Sequence, residues 1–215
     1  MSNSDNNVHD LRSALALLKT LPGEYVETSV EVDPHAELSG VYRYVGAGGT
    51  CQRPTRKNGP VMVFNKVKGF HDISVAIGLN GSRKRVSHFL NCEPEKLGHL
   101  LKNSVQNPIS PVIARDNAVC QEVVHLATDE GFDLRKLLPA PTNTEEDAGP
   151  YITMGLCYAS DPETHESDIT IHRLCVQSKD ELSMWLTPGR HIDAFRMKAE
   201  AAGKPLPISI SIGVD

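Results

Sequence analysis

The chain has 215 residues, of which 40% are hydrophobic and 23% are charged, so it can bury the core of one large domain or two small ones. Its net charge of −5 at pH 7 excludes the basic surface expected of a protein that binds nucleic acid or anionic membranes. The five cysteines are widely spaced, and the sequence shows neither a secretory signal nor an apolar stretch long enough to span a membrane. We therefore expect a cytoplasmic protein with reduced thiols.

The first half of the sequence predicts alternating helices and strands. Asp10 is a typical N-cap, and apolar residues at helical spacing follow it until Pro22-Gly23 ends the helix. The predicted strands cover residues 25–32, 61–64 and 74–79, and two further predicted helices cover residues 82–90 and 95–105. In the last helix, the residues expected to face inward are Leu97, Leu100, Leu101 and Val105. This alternation predicts an α/β domain over residues 1–111.

The character of the sequence changes near Pro111, where short strand-like runs become frequent. They cover residues 120–126, 151–158, 169–177, 182–186 and 208–214. The turn at residues 178–181 predicts a hairpin between the third and fourth of these runs. One helix is predicted among them, with Thr187 as its cap, Pro188 in its first position and Gly203 at its end. Residues 112–215 are therefore expected to form a second, β-rich domain, either a barrel or a sandwich.

Two short segments carry the side chains best suited to chemistry. On the predicted strand over residues 169–177, Asp168, Thr170 and His172 share one face, while Ile171 and Arg173 point the other way. Asp168 at the strand start and His191 in the first turn of the next helix could supply two ligands for Mn²⁺ or Mg²⁺. The N-terminus of that helix also favours a phosphate group. The plainer alternatives are that Asp168 forms a turn and that His191 is a solvated polar residue.

Arg173 is harder to explain as a simple surface residue, because its strand is otherwise apolar. An arginine in such surroundings is costly unless an anion pairs with it. Asp168 and Arg173 are five residues apart, so strict alternation sends them to opposite faces. We therefore predict a β-bulge, a sharp twist or a site that wraps around the strand end if both residues serve one ligand.

These segments resemble the UbiD family of decarboxylases, which use prenylated FMN. The resemblance rests on residues 147–153 (Asp-Ala-Gly-Pro-Tyr-Ile-Thr), residues 168–173, Pro188-Gly189-Arg190-His191 and Pro205-Leu206-Pro207. Residues 134–144 and 170–177 are similar to the branch that decarboxylates protocatechuate and 4-hydroxybenzoate. The resemblance implies an α+β fold, in which the N-terminal α/β domain precedes part of a flavin-binding split β-barrel that is truncated at its C-terminus.

The resemblance also implies a role for each site residue. Asp168 and His191 would bind the metal that holds the cofactor phosphate, Arg173 would act on the substrate carboxylate, and Thr153, Ile171 and Arg190 would line the cofactor. The ions implied are Mn²⁺ or Mg²⁺, with K⁺ as a further ion. Many family members carry Asn at the position of Asp168, and the extra negative charge favours metal but repels phosphate. A third metal ligand and the partners of Arg173, all glutamates in the family, are expected outside these 215 residues.

The resemblance implies a carboxy-lyase that decarboxylates an aromatic acid of the hydroxybenzoate or protocatechuate type, reversibly and without oxidation. This chain would be the N-terminal portion of that enzyme, and we expect the portion by itself to be inactive. The implied partners are the aromatic carboxylic acid, a flavin prenyltransferase that supplies the cofactor, and further copies of the full-length protein in a homo-oligomer. Two alternatives remain open: a stand-alone flavin- or partner-binding module without catalysis, and an α/β protein without a ligand.

Overall fold

A computed structural model describes residues 8–51, 55–113 and 118–213. Its helices are α1 (Leu11–Thr20), α2 (Glu37–Gly46), α3 (Arg83–Phe89), α4 (Leu97–Gln106), α5 (Leu134–Leu137) and α6 (His191–Ala201). Its strands are β1 (Tyr25–Thr28), β2 (Val61–Phe64), β3 (Val75–Ile77), β4 (Tyr151–Ser160), β5 (Ser167–Val176), β6 (Leu182–Met184) and β7 (Ser209–Ser211). Short 3-10 helices cover Pro94–Lys96 and Val119–Gln121. The mixed α+β class is confirmed. Within the described ranges, no helix is long and apolar enough to cross a membrane.

The first sheet has the order β1-β2-β3, with β1 parallel and β3 antiparallel to β2. All four residues of the central strand β2 are buried, as its continuous apolar sequence predicts. Helix α1 begins with a capping box, in which the side chain of Asp10 accepts the Ser13 N–H and the Ser13 hydroxyl accepts the Asp10 N–H. The predicted cap and helix are therefore confirmed.

A buried arginine joins the elements around this first sheet. Arg85 in α3 is only 1% exposed, and its guanidinium donates to the Gly78 carbonyl at 2.5 Å and to the Gly59 carbonyl at 2.6 Å. The same guanidinium forms an ion pair of 3.0 Å with Glu24, which precedes β1. Every hydrogen bond from this guanidinium thus ends on a residue that follows or precedes a strand, so Arg85 fixes the strand ends relative to α3.

Two predictions for the region up to residue 126 are wrong, and one helix, α2, was not predicted. Leu101 and Val105 in α4 are 54% and 81% exposed rather than inward-facing. Residues 120–126 form no strand: the segment contains a 3-10 turn, and its large apolar side chains are exposed.

The second sheet is fully antiparallel in the order β6-β5-β4-β7, and the predicted β5–β6 hairpin is confirmed. Helix α6 covers one face of this sheet. The buried residues between them are Ile152, Cys157, Ala159, Leu174, Ile192 and Phe195. Strand β7 is shorter than the predicted strand over residues 208–214, of which Val214 lies outside the described residues. In the described part of the chain the two sheets share no strand, and a parallel bridge between His35 and Thr142 links the two regions.

The start of α6 differs from the prediction. Its N-cap is Arg190 rather than Thr187, and Pro188 lies before the helix in a turn closed by the Arg190 N–H on the Thr187 carbonyl. The predicted end is close to correct, because Ala202 is the C-cap and Gly203 follows with φ of 68°. His191 consequently occupies the first helical position, with its side chain at the N-terminal end of α6.

Candidate active site

Asp168 and His191, the two predicted metal ligands, lie next to each other. Nδ1 of His191 is 3.0 Å from Oδ2 of Asp168, although 23 residues separate them in sequence. The second oxygen of Asp168 accepts the N–H of Ile169 at 2.9 Å. The His191 side chain is 76% exposed and that of Asp168 is 30% exposed, so a ligand can reach both from solvent. A carboxylate and an imidazole in contact form a donor set suited to a hard or borderline divalent cation.

The face of β5 that carries Asp168 also carries Thr170 and His172, as the sequence predicts. Asp168 pairs with Ala159 and Thr170 pairs with Cys157, both of which are buried on the inner face of β4. The Thr170 hydroxyl oxygen is buried, and it is the one such side-chain atom in the described ranges without a hydrogen-bond partner. An unsatisfied buried hydroxyl costs free energy, so it marks a position where a polar ligand group would be favoured. Asp168, His191 and Thr170 together fit a metal and its anionic ligand. In the described part of the chain, no cluster offers three acidic, histidine or cysteine ligands.

Arg173 lies opposite a β-bulge. Ile152 pairs with Leu174 and Gly155 pairs with His172, so β4 advances by three residues where β5 advances by two. The extra residue places both Thr153 and Met154 on the outer, exposed side of β4, between two buried positions. The pairing of residues 168–172 is regular. The irregularity thus lies in β4, opposite Arg173, whereas β5 itself keeps its alternation from Asp168 to Arg173 and sends these two side chains to opposite faces.

Arg173 is exposed on the outer face of β5 and forms no ion pair or hydrogen bond within the described residues. Arg173 avoids the cost expected of an unpaired arginine in an apolar strand, because this half of β5 is open to solvent. Ile171, on the same face, is 59% exposed. Thr153 and Ile171 thus lie on one accessible face with Arg173, while the Asp168–His191 pair lies on the other.

One edge of β5 connects these two faces. Strand β6 pairs only with residues 174–176 of β5, so the edge of β5 opposite β4 has no strand partner from Ser167 to Arg173 in the described ranges. A ligand placed along this open edge would meet side chains from both faces of the strand. A site that wraps around the strand, which is one of the three arrangements predicted for this segment, stays a prediction.

Sequence reasoning missed Asp193, which organises the segment before His191. The Asp193 side chain is 7% exposed, and its Oδ2 accepts the Gly189 N–H at 3.2 Å. Its Oδ1 accepts two hydrogen bonds from Arg196, at 3.2 and 2.8 Å, and this guanidinium holds the pKa of Asp193 below its usual value. The available signal was an acidic residue at the third helical position, which commonly reaches back to the backbone before the helix.

Tyr151 and Cys175 pair at the end of the outer face beyond Arg173. A hydrogen bond to Cys175 raises the pKa of the Tyr151 hydroxyl, with a smaller opposing effect from the positive charge of Arg173. Arg190 is exposed, and its side chain makes no cap hydrogen bond to α6. No hydrogen bond joins it to Thr153 or Ile171 in the described part of the chain.

Two models of one protein family match this chain. The N-terminal domain of 3-octaprenyl-4-hydroxybenzoate carboxy-lyase (UbiD) matches residues 17–103, and the Rift-related domain of the same enzyme matches residues 112–215. The chain belongs to the UbiD family. The resemblance described from the sequence motifs is therefore confirmed.

Among curated relatives, gallate decarboxylase from Lactiplantibacillus plantarum is 53% identical over 208 residues, which are 96% of this chain and 42% of the relative. Phenolic acid decarboxylase from Sedimentibacter hydroxybenzoicus is 28% identical over 95% of this chain and 42% of its own length. The chain therefore spans less than half the length of these relatives.

Solved structures give the same result. The apo structure of 3,4-dihydroxybenzoic acid decarboxylase from Enterobacter cloacae is 57% identical, with a TM-score of 0.89 over 97% of this chain and 43% of the solved chain. A UbiD-class enzyme from Pelotomaculum thermopropionicum, solved in complex with prFMN, is 33% identical, with a TM-score of 0.83 over 96% of this chain and 44% of the solved one.

Proposed function

We propose that this chain is the N-terminal portion of a prenylated-FMN-dependent carboxy-lyase that decarboxylates a hydroxylated aromatic acid such as protocatechuate or a hydroxybenzoate. The observation that carries the proposal is the 3.0 Å contact between Asp168 and His191 at the N-terminus of α6, in a chain similar to decarboxylases of gallate and 3,4-dihydroxybenzoate. Prenylated FMN, when bound, supplies an electron sink for the carbon that loses CO₂.

The chain's own residues would bind and orient the reacting groups. Asp168 and His191 would bind Mn²⁺ or Mg²⁺, with K⁺ as a further ion, and the metal charge would offset the repulsion between Asp168 and a phosphate. The unpaired hydroxyl of Thr170 supports a polar ligand at this position. The backbone N–H groups at the start of α6 favour the same anion, and Arg190 would add a positive charge.

Arg173 would bind the substrate carboxylate. Its guanidinium has no ion-pair partner within the described ranges and is open to solvent, so it can donate two parallel hydrogen bonds to a carboxylate without first breaking another contact. Thr153 and Ile171, on the same face, would contact the cofactor along the open edge of β5. This arrangement requires the ligand to cross that edge, with its phosphate near Asp168 and its reactive end near Arg173.

The chain is best tested for cofactor binding after co-production with a flavin prenyltransferase, with native mass spectrometry to count bound flavin and metal. We expect one prenylated FMN and one Mn²⁺ per chain, both lost in Asp168→Ala and His191→Ala. Asp180→Ala is the matched control, because Asp180 is an exposed carboxylate at the other end of the same hairpin. Wild-type protein without flavin, or equal retention in all four proteins, would contradict the proposal.

We expect the 215-residue chain alone to lack decarboxylase activity, even with prenylated FMN and Mn²⁺ supplied. Arg173 has no glutamate partner in the described ranges, and the proton donor is expected outside these 215 residues; general acid catalysis alone typically contributes about 10²- to 10⁴-fold. Chromatographic assay of 3,4-dihydroxybenzoate consumption measures this. Turnover that Arg173→Ala abolishes would show that the catalytic groups are wrongly assigned.

We also propose two structural units, residues 1–111 and 112–215, a cytoplasmic location, and a homo-oligomer for the full-length protein. The separate sheets and the separate family matches at residues 17–103 and 112–215 support the division.

The second candidate function is a flavin- or partner-binding module without catalysis. It is favoured by β7, which pairs only with β4 and leaves its outer edge open in the described residues. Size-exclusion chromatography distinguishes association through that edge from a monomer.

A further inference from the structure

The N-terminal end of α6 is held by side chains outside the ligand pair itself. Arg190, the N-cap residue, provides no acceptor for the first N–H groups of the helix. Asp193, at the third helical position, instead reaches back and accepts the Gly189 N–H, one residue before the cap. Gly189 has φ of 78°, and because glycine has more backbone freedom than other residues, the hydrogen bond to Asp193 restricts the backbone at this position.

The other oxygen of Asp193 fixes the carboxylate itself. Two hydrogen bonds from Arg196 leave the carboxylate a single orientation, and Arg196 in turn donates to Glu200 at 2.6 Å. The Asp193 side chain is nearly fully buried, whereas that of Glu200 is 61% exposed. Asp193 is therefore the buried member of this hydrogen-bonded group of three side chains, and Glu200 is the solvent-exposed member.

The His191 ring makes two contacts of its own. It stacks on Phe195, with ring centroids 6.4 Å apart and an interplanar angle of 20°, and Phe195 is buried in the core beneath α6. The ring then meets Asp168 on β5. The ring is thus held by Phe195 and Asp168, while the backbone just before His191 is held by the hydrogen bond from Gly189 to Asp193.

We propose that Asp193 is a positioning residue that holds residues 189–191 so that His191 lies against Asp168 in a geometry ready to bind a divalent cation. The part of this inference that concerns metal rests on the proposed function. Groups that orient metal ligands typically change metal affinity by about 10- to 100-fold when they are removed. Asp193→Ala removes the acceptor of the Gly189 N–H and leaves Arg196 to turn towards Glu200.

The first experiment needs no metal. Ring-proton chemical shifts of His191 in the metal-free chain report its stacking on Phe195, so we expect Asp193→Ala to move them towards values of an unstacked histidine. Asp193→Asn keeps one acceptor and should give a smaller displacement. Glu200→Gln is the matched control, because Glu200 contacts the same arginine on the same helix, and it should leave the His191 shifts unchanged.

The second experiment measures Mn²⁺ affinity by electron paramagnetic resonance, with Mn²⁺ alone as the probe. We expect the dissociation constant to rise about 10- to 100-fold in Asp193→Ala and to stay unchanged in Glu200→Gln. Circular dichroism tests whether each variant is folded. If Asp193→Ala is unfolded, the comparison is made with Asp193→Asn instead. Folded Asp193 variants with wild-type His191 shifts would overturn the inference. Wild-type protein that binds no Mn²⁺ would instead overturn the metal site, while the chemical shifts still decide the role of Asp193.

Discussion

Replacement of Arg85 by methionine should strongly destabilise the region around the first sheet. The methionine keeps much of the buried volume but leaves the carbonyls of Gly78 and Gly59 without their donor, at a typical cost of about 1–3 kcal/mol for each buried group. It also removes the partner of Glu24, whose side chain is 18% exposed, and a broken buried pair typically costs about 3–5 kcal/mol. These costs overlap, and water can reach Glu24, so we expect a total loss of about 3–5 kcal/mol.

Urea denaturation followed by circular dichroism measures this loss. Arg83→Met is the matched control, because Arg83 is an exposed arginine in the same short helix, and surface substitutions usually change stability by less than about 0.5 kcal/mol. Since a typical domain is stable by about 5–15 kcal/mol, the difference between the two variants should be large. Equal midpoints and slopes for both variants would refute the reasoning from the Arg85 contacts.

Hydrogen exchange in the same variant tests the proposed division of the chain. If residues 1–111 and 112–215 unfold separately, Arg85→Met should accelerate exchange in β1 and β2 and leave β4 and β5 protected. Equal acceleration in both sheets would indicate one cooperative unit and contradict the division.

Three further substitutions have defined expectations. Hydrogen bonds from Arg135 lower the pKa of Asp133 from 3.8 to about 2. The ionised Asp133 therefore stabilises the fold fully above pH 3.8, and this stabilisation is lost as the pH falls towards 2. In Asp133→Asn, the free energy of unfolding should consequently fall less steeply between about pH 4 and pH 2 than in the wild type. An unchanged curve in chemical denaturation at several pH values would contradict this. Thr170→Val removes a buried hydroxyl without a hydrogen-bond partner, so it should leave the free energy of unfolding unchanged or raise it by about 1–3 kcal/mol. A clearly lower free energy of unfolding in urea denaturation would mean that the hydroxyl has a partner. Gly155→Ala should lower the melting temperature, because the added carbon would lie 2.5 Å from Leu174 Cδ1 and 3.2 Å from the His172 backbone oxygen. If the variant melts at the same temperature as the wild type, β4 and β5 can move apart at this position without cost.

Signals confined to a few neighbouring residues were sufficient for part of the fold. The Asp10 cap, the buried strand β2 and the β5–β6 hairpin each depend on contacts within about one element, so their residue patterns were informative. Helix α2 had no such signal, because it starts after Ala36, which has φ of 62° and makes no side-chain cap. Val123 and Val124 suggested a strand, but β-propensity has no effect without a neighbouring strand, and both side chains are exposed.

The candidate site was predictable in its residues and less so in its geometry. Alternation along β5 correctly separated Asp168 from Arg173, yet the approach of His191 to Asp168 depends on how α6 crosses the sheet, which no local pattern records. The resemblance to UbiD decarboxylases supplied that pairing. Arg173 was expected to need an anionic partner because its neighbours in sequence are apolar, but apolar residues on an unpaired face remain exposed until another surface covers them.

The β-bulge in β4 has a practical consequence for altering substrate preference. A regular strand presents alternate residues to one face, so two adjacent positions cannot both be varied without disturbing the core. Here Thr153 and Met154 both face outward beside Arg173, which offers two consecutive positions for a combinatorial library that leaves the packing of α6 intact. Deleting one of the two would be a different kind of change, because a single outward residue between Ile152 and Gly155 would remove the bulge, restore regular alternation and leave both of those residues on the inner face.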